Sequence, residues 1–111
     1  MEQLSKVEKF VLAYLWYEYG GSTYFMRGSK APEEFLAEMI VNDVMPERRP
    51  RHYMEALEAV KRAIKKLCDF WALQLSGYEV SLTVFGQQLV QNISKDEYQK
   101  LREDIVKGRL A

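Results

Sequence analysis

Between residues 45 and 68 the chain carries seven bases, Arg48, Arg49, Arg51, Lys61, Arg62, Lys65 and Lys66, against three acids, Glu47, Glu55 and Glu58, a local balance of about +4. Residues 1–44 sum to about −3 and residues 69–111 to about −1, so the whole chain is neutral. Cations gathered on one stretch of an otherwise acidic chain are the charge pattern expected of a surface that meets a polyanion. Zero net charge argues against an indiscriminate polyanion binder, and a solvated helix face is the competing reading of the same residues. His52, the only histidine, could touch a base or a phosphate, or simply face solvent. It cannot complete a zinc or catalytic site, because the chain has no second histidine and a single cysteine.

The remaining reactive residue types point to structure. Cys68 falls on the inward side of its helix beside Ile64 and Leu67, as a small core residue. Gly20-Gly21-Ser22-Thr23 lacks the Gly-Lys-Ser/Thr ending and the preceding strand of a phosphate loop. Trp16, Tyr14 and Tyr17 sit in a segment too apolar for base stacking and belong to a core or a dimer interface. Asp96, Glu97, Glu103 and Asp104 read as the solvated face of a capped helix, not as an acid–base pair. No enzyme activity, cofactor or metal is therefore expected.

The elements that must hold these residues follow from periodicity. Leu4 to Tyr19 has apolar residues at helical spacing (Leu4, Val7, Val11, Tyr14, Leu15), and Phe10, Leu12, Trp16 and Tyr17 widen the stripe almost all the way round. Gly20-Gly21 ends that helix. Residues 22–27 are short and β-prone, an isolated edge strand. A second helix starts at Pro32, with Glu33 and Glu34 at the positive end of its dipole, and fades near Val44. Two prolines within residues 45–50 break it. The third helix runs from about Arg51 to Cys68. Tyr53, Leu57, Val60, Ile64 and Leu67 share its inner face, and Arg51, His52, Glu55, Arg62 and Lys66 lie opposite.

Residues 70–75 and 78–83 read as strands joined by Ser76-Gly77 in a hairpin. Thr83 ends the second strand by capping the next helix. Gly86, one turn in, costs helix stability by roughly 1 kcal/mol against alanine, which suggests a close approach that a side chain would block. The last helix opens on Ser94-Lys95-Asp96-Glu97, a capping box flanked by Ile93 and Tyr98 as a hydrophobic staple. The fold class expected is mainly α with a small β-hairpin (α+β).

That order of elements, with residues 63–73 (AIKKLCDFWAL) followed by Gly77-Tyr78-x-Val80-x-Leu82-Thr83-x-x-Gly86-x-x-Leu89, resembles the winged-helix family. It is similar in particular to the small winged-helix proteins common in archaea and their viruses. The resemblance covers residues 4 to about 92. It implies a winged helix-turn-helix over residues 1–92, with residues 93–111 an added C-terminal helix packed on the same domain or in a dimer interface.

It further implies that the third helix enters the major groove of double-stranded DNA. Arg48, Arg49, Arg51 and His52 would then reach base edges, with Glu55 and Arg62 further along, and Lys65 and Lys66 would meet phosphates. Three features depart from the family pattern: a wing tip without Lys or Arg, a long turn with two prolines before the third helix, and Glu58 one turn before Arg62, placed to pair with it.

The functional expectation is a sequence-specific DNA-binding transcriptional regulator, with a winged-helix protein-interaction module as the alternative. The apolar girth of the first helix suggests a homodimer through Leu12, Trp16, Tyr98, Leu101 and Ile105. No stretch approaches the roughly 20 apolar residues of a membrane span. The lone cysteine and the lack of a signal-peptide pattern at the N-terminus give an intracellular, cytoplasmic expectation (the host cytoplasm if viral).

Overall fold

A computed structural model describes residues 4–25, 28–46 and 50–110. Helix α1 (Lys6–Tyr19) begins two residues into the expected segment because Ser5 caps it. The Ser5 hydroxyl accepts the Glu8 N–H at 3.2 Å, and the Glu8 carboxylate accepts the Ser5 N–H at 3.0 Å. Ser5-Lys6-Val7-Glu8 is thus a capping box, a pattern legible in the sequence but not read there. Gly20, at φ 68°, closes the helix in the left-handed conformation that glycine adopts without penalty.

Strand β1 (Ser22–Tyr24) is followed by α2 (Pro32–Val44) and α3 (Pro50–Asp69). Met26 and Arg27, at the end of the expected first strand, lie outside the described residues. Helix α3 ends in a Schellman arrangement. The Ala72 N–H reaches the Leu67 carbonyl at 2.9 Å and the Trp71 N–H reaches the Cys68 carbonyl at 3.1 Å. Trp71 takes the left-handed position, φ 62°, that a glycine usually fills. These bonds correct the expected strand over residues 70–75. Its first three residues terminate a helix, and β2 is only Leu73–Ser76.

Strand β3 (Glu79–Leu82) pairs antiparallel with β2, Ser76 opposite Glu79 and Leu73 opposite Leu82. The hairpin tip is therefore Gly77-Tyr78, one residue beyond the expected Ser76-Gly77. Gly77 has φ 62° and Tyr78 does not have positive φ, the type II′ turn that needs glycine at its first central position. β1 pairs with the other side of β3, Thr23 opposite Val80, so it is the edge of a three-stranded sheet ordered β1-β3-β2 and not an isolated strand. The architecture is mainly helical with this small antiparallel sheet.

Thr83 caps α4 (Val84–Val90), as its position after β3 suggested. Its hydroxyl accepts the Gly86 N–H at 3.0 Å and donates to the Trp71 carbonyl. The tolerance for Gly86 is explained by Ala72: a Cβ at residue 86 would stand 2.2 Å from the Ala72 carbonyl oxygen. Helix α5 (Lys95–Val106) is capped by Ser94, whose hydroxyl accepts the Glu97 N–H at 3.0 Å. The Glu97 carboxylate does not return the bond of a capping box; it faces Lys9 of α1 at 3.9 Å.

Helix α5 lies across α1. Tyr98 is inserted between Phe10 and Tyr17, ring centroids 6.3 and 5.6 Å away. The Tyr98 hydroxyl donates to the Glu18 carboxylate at 2.7 Å, and Arg102 donates to the same carboxylate at 2.9 Å. Tyr17 donates to the Ile93 carbonyl at 2.7 Å, and Lys6 pairs with Asp104 at 3.0 Å. The girth of α1 is thereby covered inside the chain. Leu12, Tyr98, Leu101 and Ile105, four of the five side chains expected at a dimer interface, are buried within the chain. The fifth, Trp16, keeps 37% of its surface exposed. Among the described residues no helix is long and apolar enough to cross a membrane.

Candidate nucleic-acid interface

Helix α3 turns its apolar stripe, Val60, Ile64 and Leu67, into the core and is held against α2 by polar contacts at its margins. The Tyr53 hydroxyl donates to Asn42 at 2.8 Å, and Lys61 meets Glu34 at 3.3 Å. Buried alanines at 56, 59 and 63 let neighbouring chain approach closely on its other flank. What remains outward is a face of Met54, Glu55, Glu58, Arg62, Lys65, Lys66 and Asp69.

The electrostatics of that face differ from the sequence reading at one point. Glu58 pairs with Lys61 at 3.8 Å, not with Arg62. Lys61 is drawn to that side by Glu34 of α2, so a tertiary contact decides which base Glu58 meets. Arg62 and Lys65 have no ion-pair partner among the described residues and stand in solvent. Lys66 leans its ammonium over the Phe70 ring, 5.8 Å from the centroid, a contact that leaves its charge unneutralised. Glu55, Glu58 and Asp69 are interleaved with these three bases, so the described part of the face is mixed in sign.

The structure brings Glu55, Arg62 and Lys66 onto one exposed surface, as the spacing implied, and Lys65 joins them there. Arg48 and Arg49 lie outside the described residues, and so does the side chain of Arg51. His52 is elsewhere. It is half-buried beside the C-terminal segment, where a Cβ on Gly108 would meet its Cδ2 at 3.1 Å. Leu110 follows in a groove along α3 with Ala59, Arg62, Ala63 and Lys66. The sequence suggests that Gly108 ends the last helix and that the tail frays; Leu110 is instead partly buried against the core. The +80° φ of Gly108 redirects the chain onto α3, and glycine was the one available signal.

Two further features border the site. Trp71 is 79% exposed, Val84 72% and Phe85 46%, and Trp71 is joined to the Thr83 cap that precedes the other two. These exposed apolar side chains stand on joined stretches of chain at the end of α3, which the sequence reading, with Trp71 in a strand, did not anticipate. At that end of α3 Cys68 is half-buried. Burial, then the charges of Asp69 and Glu33, push its thiol up to about 11, so it is protonated and unreactive at neutral pH. Tyr14 is raised far more, by burial and by donating to Asp43 at 2.7 Å, and is a fixed donor and not an acid. Among the described residues no three His, Cys, Asp or Glu side chains are grouped to hold a metal ion. Comparison with known proteins adds no relative: no family model, curated protein or solved structure matches the chain.

Proposed function

We propose that this chain binds double-stranded DNA through α3 and acts as a transcriptional regulator of the winged-helix type. The order α1, β1, α2, α3, β2, β3, with the sheet ordered β1-β3-β2, supports the winged-helix reading. The observation that carries the DNA reading is the outer face of α3. It is left uncovered, and Arg62 and Lys65 on it are free of intrachain ion pairs among the described residues. An exposed helix of this kind fits the major groove, arginine can read guanine through two hydrogen bonds, and lysine meets phosphates. The proposal does not extend to a homodimer built on α1 and α5, because Leu12, Tyr98, Leu101 and Ile105 are buried within one chain.

The test is binding to a mixed duplex library across a salt series. Enrichment of one sequence is expected, with affinity falling as salt rises. Arg62→Ala is expected to cost roughly 1–3 kcal/mol and to relax preference at one base pair. Lys65→Ala should weaken all sequences alike and lower the salt slope by about one. A chain that enriches no duplex at low salt does not do this work.

The second reading is a winged-helix protein-interaction module. The exposed side chains of Trp71, Val84 and Phe85, on joined stretches of chain, favour it, since exposed apolar patches mark contact surfaces. So does the presence of Glu55, Glu58 and Asp69 among the bases of α3. Failure of the duplex library would leave this reading in place.

A further inference from the structure

We infer that the C-terminal segment after α5 is a second phosphate-contacting element, in which Lys107 and Arg109 extend the cationic surface of α3 along the DNA backbone. This rests on the DNA-binding reading above. The segment is not a loose end. Gly108 sits against the His52 ring near the start of α3, and Leu110 sits in the groove beside Ala59, Arg62, Ala63 and Lys66. Leu110 is partly buried against the core, so the segment is held at both of these positions. The small side chains of Ala59 and Ala63 leave the room, and the +80° φ of Gly108 makes the turn.

The residues alternating with those two anchors are the basic ones. Lys107 is exposed and has no ion pair among the described residues; Arg109 keeps 68% of its side chain in solvent. The segment that carries both borders the groove that Leu110 lines together with Arg62 and Lys66. Of the acids that border this region, Glu103 lies one turn before Lys107 and is exposed, with no ion pair to it among the described residues. Asp104 holds Lys6 at 3.0 Å and reaches Arg109 only at 3.8 Å, a contact a phosphate can replace. Glu8 accepts the Ser5 N–H and is almost wholly buried. Glu55 lies on the neighbouring stripe of α3. A chain with zero net charge whose described recognition face is mixed in sign gains from such a strip the charge density that a duplex requires. Phosphate contacts of this kind position a protein without reading sequence.

The test compares the full chain with Lys107→Ala/Arg109→Ala and with Lys95→Ala/Lys100→Ala, which removes two exposed bases from the first half of α5. Each is titrated with the enriched duplex and with an unrelated duplex over a range of salt. The tail variant should lose affinity for both duplexes by a similar factor and keep their ratio. Its slope of log K against log salt should fall by about 1.8, two phosphates at about 0.9 each. The Lys95/Lys100 variant should keep the wild-type slope, and Lys107→Ala with Arg109→Lys should lose only about half as much slope as the tail variant. An unchanged slope in the tail variant, or an equal fall in both double variants, overturns the inference while leaving α3 as the binding element. Wild-type protein that binds no duplex removes the DNA reading and the inference together.

Discussion

Gly86→Ala opposes two effects of known sign, and the structure decides between them. In an exposed helix the change favours alanine by about 1 kcal/mol. Here the added Cβ would stand 2.2 Å from the Ala72 carbonyl oxygen, and real Cβ contacts do not fall below 3.0 Å, so the two must part by at least 0.8 Å. Neither side yields easily. The Ala72 carbonyl accepts the Thr83 N–H at 3.1 Å, and the Ala72 N–H holds the end of α3 through Leu67. Residue 86 is itself tied by the Thr83 hydroxyl at 3.0 Å. Overpacking against side chains costs about 1–3 kcal/mol, and this collision is with backbone, at the upper end of that range. Weakening one buried backbone hydrogen bond adds about 1 kcal/mol more. Against the propensity gain, the net expected loss is about 3 kcal/mol. For a chain of this size that lowers Tm by about 12 °C. Thermal and urea unfolding followed by circular dichroism read it directly. Gly77→Ala serves as the control, because nothing lies within 4 Å of a Cβ there and only its 62° φ is penalised, at about 1–2 kcal/mol. A Gly86→Ala protein as stable as wild type, or more so, would refute the close approach of α4 to the end of α3.

Trp71→Gly should stabilise the fold by up to about 1 kcal/mol in urea titration, since glycine relieves the left-handed strain of a side chain that is mostly exposed. Loss of stability instead would show that the indole packs usefully. Tyr98→Phe should cost about 1 kcal/mol by removing the hydroxyl bond to Glu18, and Arg102→Ala should cost less in the variant than in wild type if the three act as one network. The Cys68 thiol is raised on folding, so the native state holds its proton longer. That contribution is fully present below about pH 9 and is lost as pH rises toward 11; Cys68→Ser should flatten the alkaline limb of a stability–pH curve. Sedimentation at micromolar concentration should give one species at 13.0 kDa, and growth of a heavier species with concentration would identify a self-association surface other than the buried α1–α5 contact.

Features whose cause is local were legible before any coordinates. Thr83 and Ser94 cap helices because a hydroxyl satisfies an amide three residues on, and Pro32 and Gly20 open and close helices through their own φ preferences. The cost of Gly86 announced a close approach, and the period of α3 separated its core stripe from the face carrying Glu55, Arg62 and Lys66. Other features depended on neighbours distant in the chain. An apolar stripe states that surface must be buried, not by what. The stripe on α1 fits a second subunit and α5 equally well, and only the seating of Tyr98 between Phe10 and Tyr17 distinguishes them. Glu58 had two bases within a helical turn, and Glu34, from another helix, holds Lys61 on the side where Glu58 meets it. Trp71 disfavours the left-handed conformation that it holds, so its own preference pointed to a strand; the bonds ending α3 and the Thr83 hydroxyl outweighed it. The path of residues 108–110 over α3 was decided by alanines some fifty residues earlier. Caps and periods are determined by interactions within a turn or two of chain. Pairing, partner choice and strain are settled by whichever distant surfaces the completed fold brings together.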